Sequence, residues 1–88
     1  MKEQIAHEIE DIISKSVFEH AFDYIDSAKV FYIRGTNTFI NWQLSINRIF
    51  IHNNKQGEEH VSYLDIIIDD FSKLKILKDK INEFTKNT

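Results

Sequence analysis

The sequence predicts an α+β domain, laid out α-β-β-β-α: a three-stranded antiparallel meander with a bent second strand and two helices on one face. Three observations carry this expectation. Apolar residues recur at helical spacing near both ends of the chain. Strict two-residue alternation runs through Ile40–Ile46, and short polar or glycine-containing segments punctuate the middle. Eighty-eight residues, 42% of them apolar, give one core and one domain spanning 1–88.

The first element is a helix in which Ile5, Ile9, Ile12 and Ile13 gather on one side. Glu3, His7, Glu10 and Asp11 take the other side, as on any solvated face. Carrying the same helix past Ser16 would turn Glu19 and Asp23 inward, and burying unpaired carboxylates costs far more than interrupting a helix. A break near Lys15–Phe18 is therefore expected. The alternative is a continuous helix that displays Phe18, Phe22 and Ile25 outward as a partner patch.

Residues 28–34 read as a strand with apolar side chains on both faces, closed by a turn at Gly35-Thr36-Asn37. In the next segment Ile40, Trp42, Leu44 and Ile46 alternate with Asn41, Gln43, Ser45 and Asn47, an apolar face backed by an amide face. The phase slips after Asn47, where Ile49 and Ile51 form one face and Arg48, Phe50 and His52 the other. A bulge near Asn47 bending one long strand accounts for the slip. A polar loop over 53–59 and a strand from His60 to Ile68 follow. Asp69 or Asp70 is placed to cap a last helix with the stripe Phe71, Leu74, Leu77, Ile81 and Phe84. Ile76 falls opposite that stripe and is marked as a contact candidate. The open side of the sheet is expected to carry Asn41, Gln43, Ser45 and Asn47.

Composition excludes several chemistries. There is no cysteine, hence no disulfide, thiolate nucleophile or zinc–thiolate site. Two glycines make no phosphate loop. The longest apolar run, Val30 to Ile33, is far short of the roughly twenty residues of a membrane span. The start at Met1 lacks an apolar signal core, so a cytoplasmic address is expected.

Candidate reactive groupings are sparse. Glu3, His7 and Asp11 share a helical face at spacing that suits a metal ion, yet the same residues are ordinary solubilising groups there. His20 and Asp23 could pair as base and orienter, but no nucleophile is placed for them. Asp65, Asp69 and Asp70 are too spread along a strand to ligate one ion jointly, and His52 and His60 flank a loop. The expectation is no catalytic residue, no metal and no cofactor.

Charge is unevenly distributed around a net value of −3. The acidic residues crowd into the first 26 positions, and five lysines occupy 73–86. Either the two ends pack together and balance, or one is a docking surface. The order of elements resembles double-stranded-RNA-binding domains in topology alone. The lysines of the last helix flank its apolar stripe instead of forming a phosphate-reading row, so nucleic acid is not the expected partner.

In size, mild acidity and layout the chain resembles stand-alone inhibitors such as bacteriocin immunity proteins or phage anti-defence proteins. The expected function is non-enzymatic. The chain would occlude a protein with a basic surface, such as a nuclease or nucleic-acid-handling complex, through Glu3, His7, Glu10 and Asp11. Asn41, Gln43 and Ser45 form a second surface, with Ile76 as a further contact. A self-associating subunit, joined as a homodimer through a strand edge or through Phe18, Phe22 and Ile25, is the alternative. A nucleic-acid module stands third.

Overall fold

The computed structural model describes residues 1–25, 27–54 and 61–86. Helix α1 (Lys2–Ser14) is followed by β1 (Phe18–Tyr24), β2 (Ala28–Ile33), β3 (Thr38–Gln43), β4 (Arg48–Asn53) and β5 (Val61–Ile67). A short 3-10 turn, Phe71–Lys73, leads into α2 (Leu74–Lys86). The strands form one antiparallel sheet in the order β1-β2-β3-β4-β5.

The α+β class, the antiparallel meander and the two helices on one face are as the sequence predicts; the strand count is not. The sheet has five strands, and the two additional ones have different origins. The helix does break after Ser14, but residues 18–24 become a strand at the sheet's edge. That placement satisfies Phe18, which is buried, while leaving Glu19 and Asp23 in water. The expected bent strand over 40–52 is in fact a hairpin. Gln43 pairs with Arg48, and the reversal is made by Leu44, Ser45, Ile46 and Asn47. Asn47 adopts φ +50, the left-handed conformation that asparagine tolerates better than most residues. The turn is disguised in the sequence because Leu44 and Ile46 continue the apolar alternation, although Ile46 is 46% exposed.

Bulges occur, but elsewhere. His20 pairs with Phe31 and Phe22 with Val30, so Ala21 is the extra residue in β1. Ile51 pairs with Leu64 and His52 with Ser62, so Tyr63 is the extra residue in β5. The two inner pairings are regular. Irregularity confined to the outer strands is a known means of keeping exposed edges from pairing with other chains. The expected loop over 55–59 and the expected first residue of the last strand, His60, lie outside the described residues, and so does any pairing of His52 with His60.

The covered face carries the cross-strand row His20, Phe31, Ile40, Ile51 and Leu64, and beside it the row Lys29, Trp42, Ile49 and Ile66. Ile5, Ile9 and Ile13 of α1 and Leu77 and Ile81 of α2 pack onto these rows in one core with Phe18 and Ile68. Ile12 is only half-buried, and Phe71 lies 46% exposed at the start of the α2 stripe.

Polar anchors tie the ends of the core. Trp42, buried as expected, donates its Nε1–H to Asn47 Oδ1 at 3.1 Å, and Asn47 Nδ2 donates to the Lys2 carbonyl at 3.1 Å. Asn47 thus leaves the open amide row and becomes a buried clamp between hairpin and helix. Asp70, not Asp69, caps the last helical segment, accepting from the Ser72 backbone N–H at 2.8 Å and from the Ser72 hydroxyl. Asp69 instead pairs with Lys73.

Candidate functional site

The helices leave the other face of the sheet uncovered. Three rows cross it: Phe22-Val30-Asn41-Phe50-Asp65, Glu19-Tyr32-Phe39-His52-Ser62, and Tyr24-Ala28-Gln43-Arg48-Ile67. Strand alternation forces this set outward once Ile40, Trp42, Ile49 and Ile51 take the core. Phe22 and Tyr24 are 46% and 53% exposed and meet edge-to-face with centroids 5.0 Å apart. His52 lies against Phe39 and Phe50, at 5.9 and 4.8 Å. Val30 and Ala28, between the larger side chains, are buried although no described helix covers the sheet there.

Charge on this face is tied down. Arg48 grips Asp65 through two parallel bonds of 2.8 and 2.7 Å, a bidentate geometry that fixes both side chains. These hydrogen bonds hold the Asp65 carboxyl below the usual carboxylate range and push the Arg48 guanidinium up. Arg34 bonds Glu19 at 3.2 Å, which raises the arginine's affinity for its proton. What remains accessible is aromatic surface interspersed with amides.

Of the predicted surface residues, Asn41, Gln43 and Ser45 are brought together. With Tyr24, Ser27 and Ala28 they line a hollow of about 300 Å³. A neighbouring hollow of about 270 Å³ is lined by Phe22, Tyr24, Val30, Phe39, Asn41, His52 and Asn54, with Tyr24 and Asn41 common to both. The Asn41 Oδ1 is shielded from water and meets no hydrogen-bond donor among the described residues.

Glu3, His7, Glu10 and Asp11 are all exposed, but on α1, which lies on the far side of the sheet. Their charges are not equally available. Glu10 pairs with Lys29 at 3.3 Å and Asp11 with Lys15 at 3.0 Å, whereas no described cation pairs with Glu3 or the neighbouring Glu8. Ile76 is 47% exposed on α2 and joins neither surface. Phe22, Tyr24, Phe39 and Phe50 were not foreseen as one surface. The signal existed for Phe39 and Phe50, which take the opposite face once their isoleucine neighbours are assigned inward. No such signal existed for β1.

The groupings that suggested chemistry are each accounted for locally. His20 Nε2 and Asp23 Oδ1 do pair, at 2.8 Å, beside Ser14 and Ser16. Both serine hydroxyls are committed: Ser14 donates to the Asp11 carbonyl, and Ser16 donates to Ile13 while accepting from the Phe18 N–H. Asp65, Asp69 and Asp70 turn to Arg48, Lys73 and Ser72 respectively. Among the described residues no group of three or more His, Asp or Glu side chains is arranged to hold a metal ion.

The two largest of the other hollows described follow the same pattern. One of about 760 Å³ beside β1 is bordered by the Glu10–Lys29, Glu19–Arg34 and His20–Asp23 pairs. One of about 540 Å³ between the helices is bordered by Asp11–Lys15 and by Lys75, which turns to Asp79. No described helix is long and apolar enough to cross a membrane. Comparison with family models, curated proteins and solved structures finds no match for the chain.

Proposed function

We propose that this chain is a non-enzymatic protein-binding domain that occludes a partner through the open face of its sheet. The partner is an inhibitor's target with a basic surface, such as a nuclease or a nucleic-acid-handling complex. The observation that carries the reading is the asymmetry of the sheet. One face is sealed by α1 and α2, while the other presents Phe22, Tyr24, Phe39 and Phe50 around neutralised ion pairs. Aromatic anchors within a patch poor in free charge are the composition of protein interface centres. The acidic α1 face, where no described cation pairs with Glu3 or Glu8, acts at longer range and steers encounter with a positive partner.

Nucleic acid fits this surface less well. Duplex affinity needs several cations free to reach phosphates. Here Lys73, Lys75 and Lys80 each hold a carboxylate, and the arginines of the open face do so too. The bulged outer strands also disfavour a subunit joined edge to edge.

Purified chain immobilised as bait tests the reading. A protein retained by the wild type and by the folded Glu10→Lys/Asp11→Lys variant, but lost from folded Phe22→Arg and Phe39→Arg variants, supports docking by the sheet. Retention that survives both open-face changes refutes it. The α1 charge reversal should slow association at low salt more than it speeds dissociation. A concentration-dependent dimer in light scattering that the Phe39→Arg change dissolves would instead assign the face to a second copy.

A further inference from the structure

We infer that the hollow between Phe22, Tyr24 and Phe39 receives a single arginine side chain of the protein partner, with Asn41 Oδ1 accepting from the guanidinium. The inference rests on the docking role of the open face and specifies what that face recognises. Three independent features of the hollow agree.

The first is an unfilled valence. Asn41 stands on β3 between Val30 and Phe50, and its Oδ1 is cut off from water without a donor from any described residue. A buried acceptor left in this state is costly, and native structures rarely keep one without a reason. Once the Asn41 amide, on its soft terminal torsion, turns the oxygen into the hollow that this half-buried side chain lines, a donor arriving with a partner removes that cost, so the site favours a ligand bearing N–H groups over one bearing only acceptors.

The second is the lining. Phe22 and Tyr24 are half-exposed rings on the outermost strand, and Phe39 stands across β2 from them. The negative faces of aromatic rings attract cations, and a planar guanidinium also stacks on them. The described cations of this face do not compete. Arg48 is held at both nitrogens by Asp65, and Arg34 by Glu19, so neither swings into the hollow to satisfy Asn41. Rings and an acceptor with no unpaired lysine or arginine beside them among the described residues, on a chain of net charge −3, are complementary to a cation.

The third is size. About 270 Å³ is the room of roughly nine water molecules at ~30 Å³ each, below the ~300–1,000 Å³ of sites that hold whole small molecules. One long side chain fits these dimensions, and arginine alone combines length, planarity, positive charge and several donors.

The test uses the intact chain and acetyl-arginine amide as probe, followed by NMR. Saturable shifts are expected at the Phe22, Tyr24 and Phe39 rings and at the Asn41 side-chain amide. Acetyl-citrulline amide, which keeps the planar shape and part of the donor set but not the charge, should bind about tenfold or more weakly, and acetyl-lysine amide more weakly than arginine. Asn41→Leu should weaken arginine binding at least about tenfold, while Asn41→Asp, which keeps the acceptor, should preserve or tighten it.

Absence of saturable shifts at these rings, an equal response to citrulline or lysine, or unchanged affinity in folded Asn41→Leu overturns the inference. Wild-type titration and the Asn41→Asp variant keep it falsifiable if the leucine variant does not fold. A protein partner retained equally well by folded Asn41→Leu defeats the arginine site and leaves sheet docking standing. Arginine binding without any retained protein does the reverse.

Discussion

Replacing Asn47 by alanine should cost this domain a large share of its stability, and the cost should divide into two separable parts. Asn47 is 2% exposed, accepts from Trp42 Nε1 and donates to the Lys2 carbonyl, each at 3.1 Å. Alanine leaves the indole N–H, on a side chain itself only 1% exposed, without a partner, a loss of about 1–3 kcal/mol. It also leaves the Lys2 carbonyl short of a donor and must hold φ +50 with a Cβ and no polar side chain, for about 1–2 kcal/mol more. The expected total is about 2–5 kcal/mol, a large part of the ~5–15 kcal/mol typical of a whole domain.

Asn47→Gly loses the same hydrogen bonds but relaxes the backbone, so it should unfold about 1 kcal/mol later than Asn47→Ala. Urea denaturation followed by fluorescence of the single tryptophan, Trp42, and by circular dichroism supplies both numbers. In a Trp42→Phe background the cost of Asn47→Ala should shrink, because the donor it strands is already gone. A loss below about 1 kcal/mol for Asn47→Ala, or a cost unchanged in that background, refutes the clamp.

The reassignment of residues 44–47 from strand to turn gives a second measurement. Ile40→Ala, at a fully buried site, should cost about 2–5 kcal/mol, and Ile46→Ala about 0.5 or less, although the sequence places both on one alternating face. Equal losses in urea denaturation would restore the single bent strand. Deleting Ala21 should remove the β1 bulge, leave a regular outer strand and produce concentration-dependent association in light scattering. Scattering unchanged from the wild type at every concentration would separate the bulge from edge protection.

Acid stability should depend on Asp65. Its carboxyl titrates near about 3.9 in the unfolded chain and lower in the fold, where Arg48 bonds it. The contribution is therefore complete above the unfolded value and is lost as pH falls through the folded one. Urea midpoints followed from about pH 6 to about pH 2 should decline below about pH 4 in the wild type and less steeply in Asp65→Asn. Parallel curves would show that other carboxylates govern the acid limb.

How much of this was legible depends on where the physics is local. The faces of α1, β2, β3 and α2 are written in their periodicity, because burial of Ile5, Ile9, Trp42, Leu77 and Ile81 selects one phase and the polar residues take the other. The β3–β4 turn was hidden because its one conspicuous signal is Asn47, whose side chain is spent on Trp42 and Lys2 and not on water. A turn that serves as a clamp does not look like a loop. The outer strand β1 was hidden for a different reason. It buries only Phe18, and its extra residue, Ala21, scrambles the alternation that would have betrayed it.

The same misplacement obscured the candidate site. Asn41, Gln43 and Ser45 were legible as an outward amide row, but their aromatic company was only half so. Phe22 and Tyr24 reach that row only when residues 18–24 form a strand beside β2. With β1 in place, a polar stripe becomes an aromatic surface in which a shielded acceptor, Asn41 Oδ1, lacks a donor from any described residue, and that combination is specific in a way that neither half is alone. It follows that substitutions altering β1 pairing should affect recognition as strongly as substitutions in the surface itself. Ala21, which contacts no partner in this account, is the residue on which the two effects can be told apart. Its deletion keeps Phe22 opposite Val30, so binding should survive the change while edge protection does not.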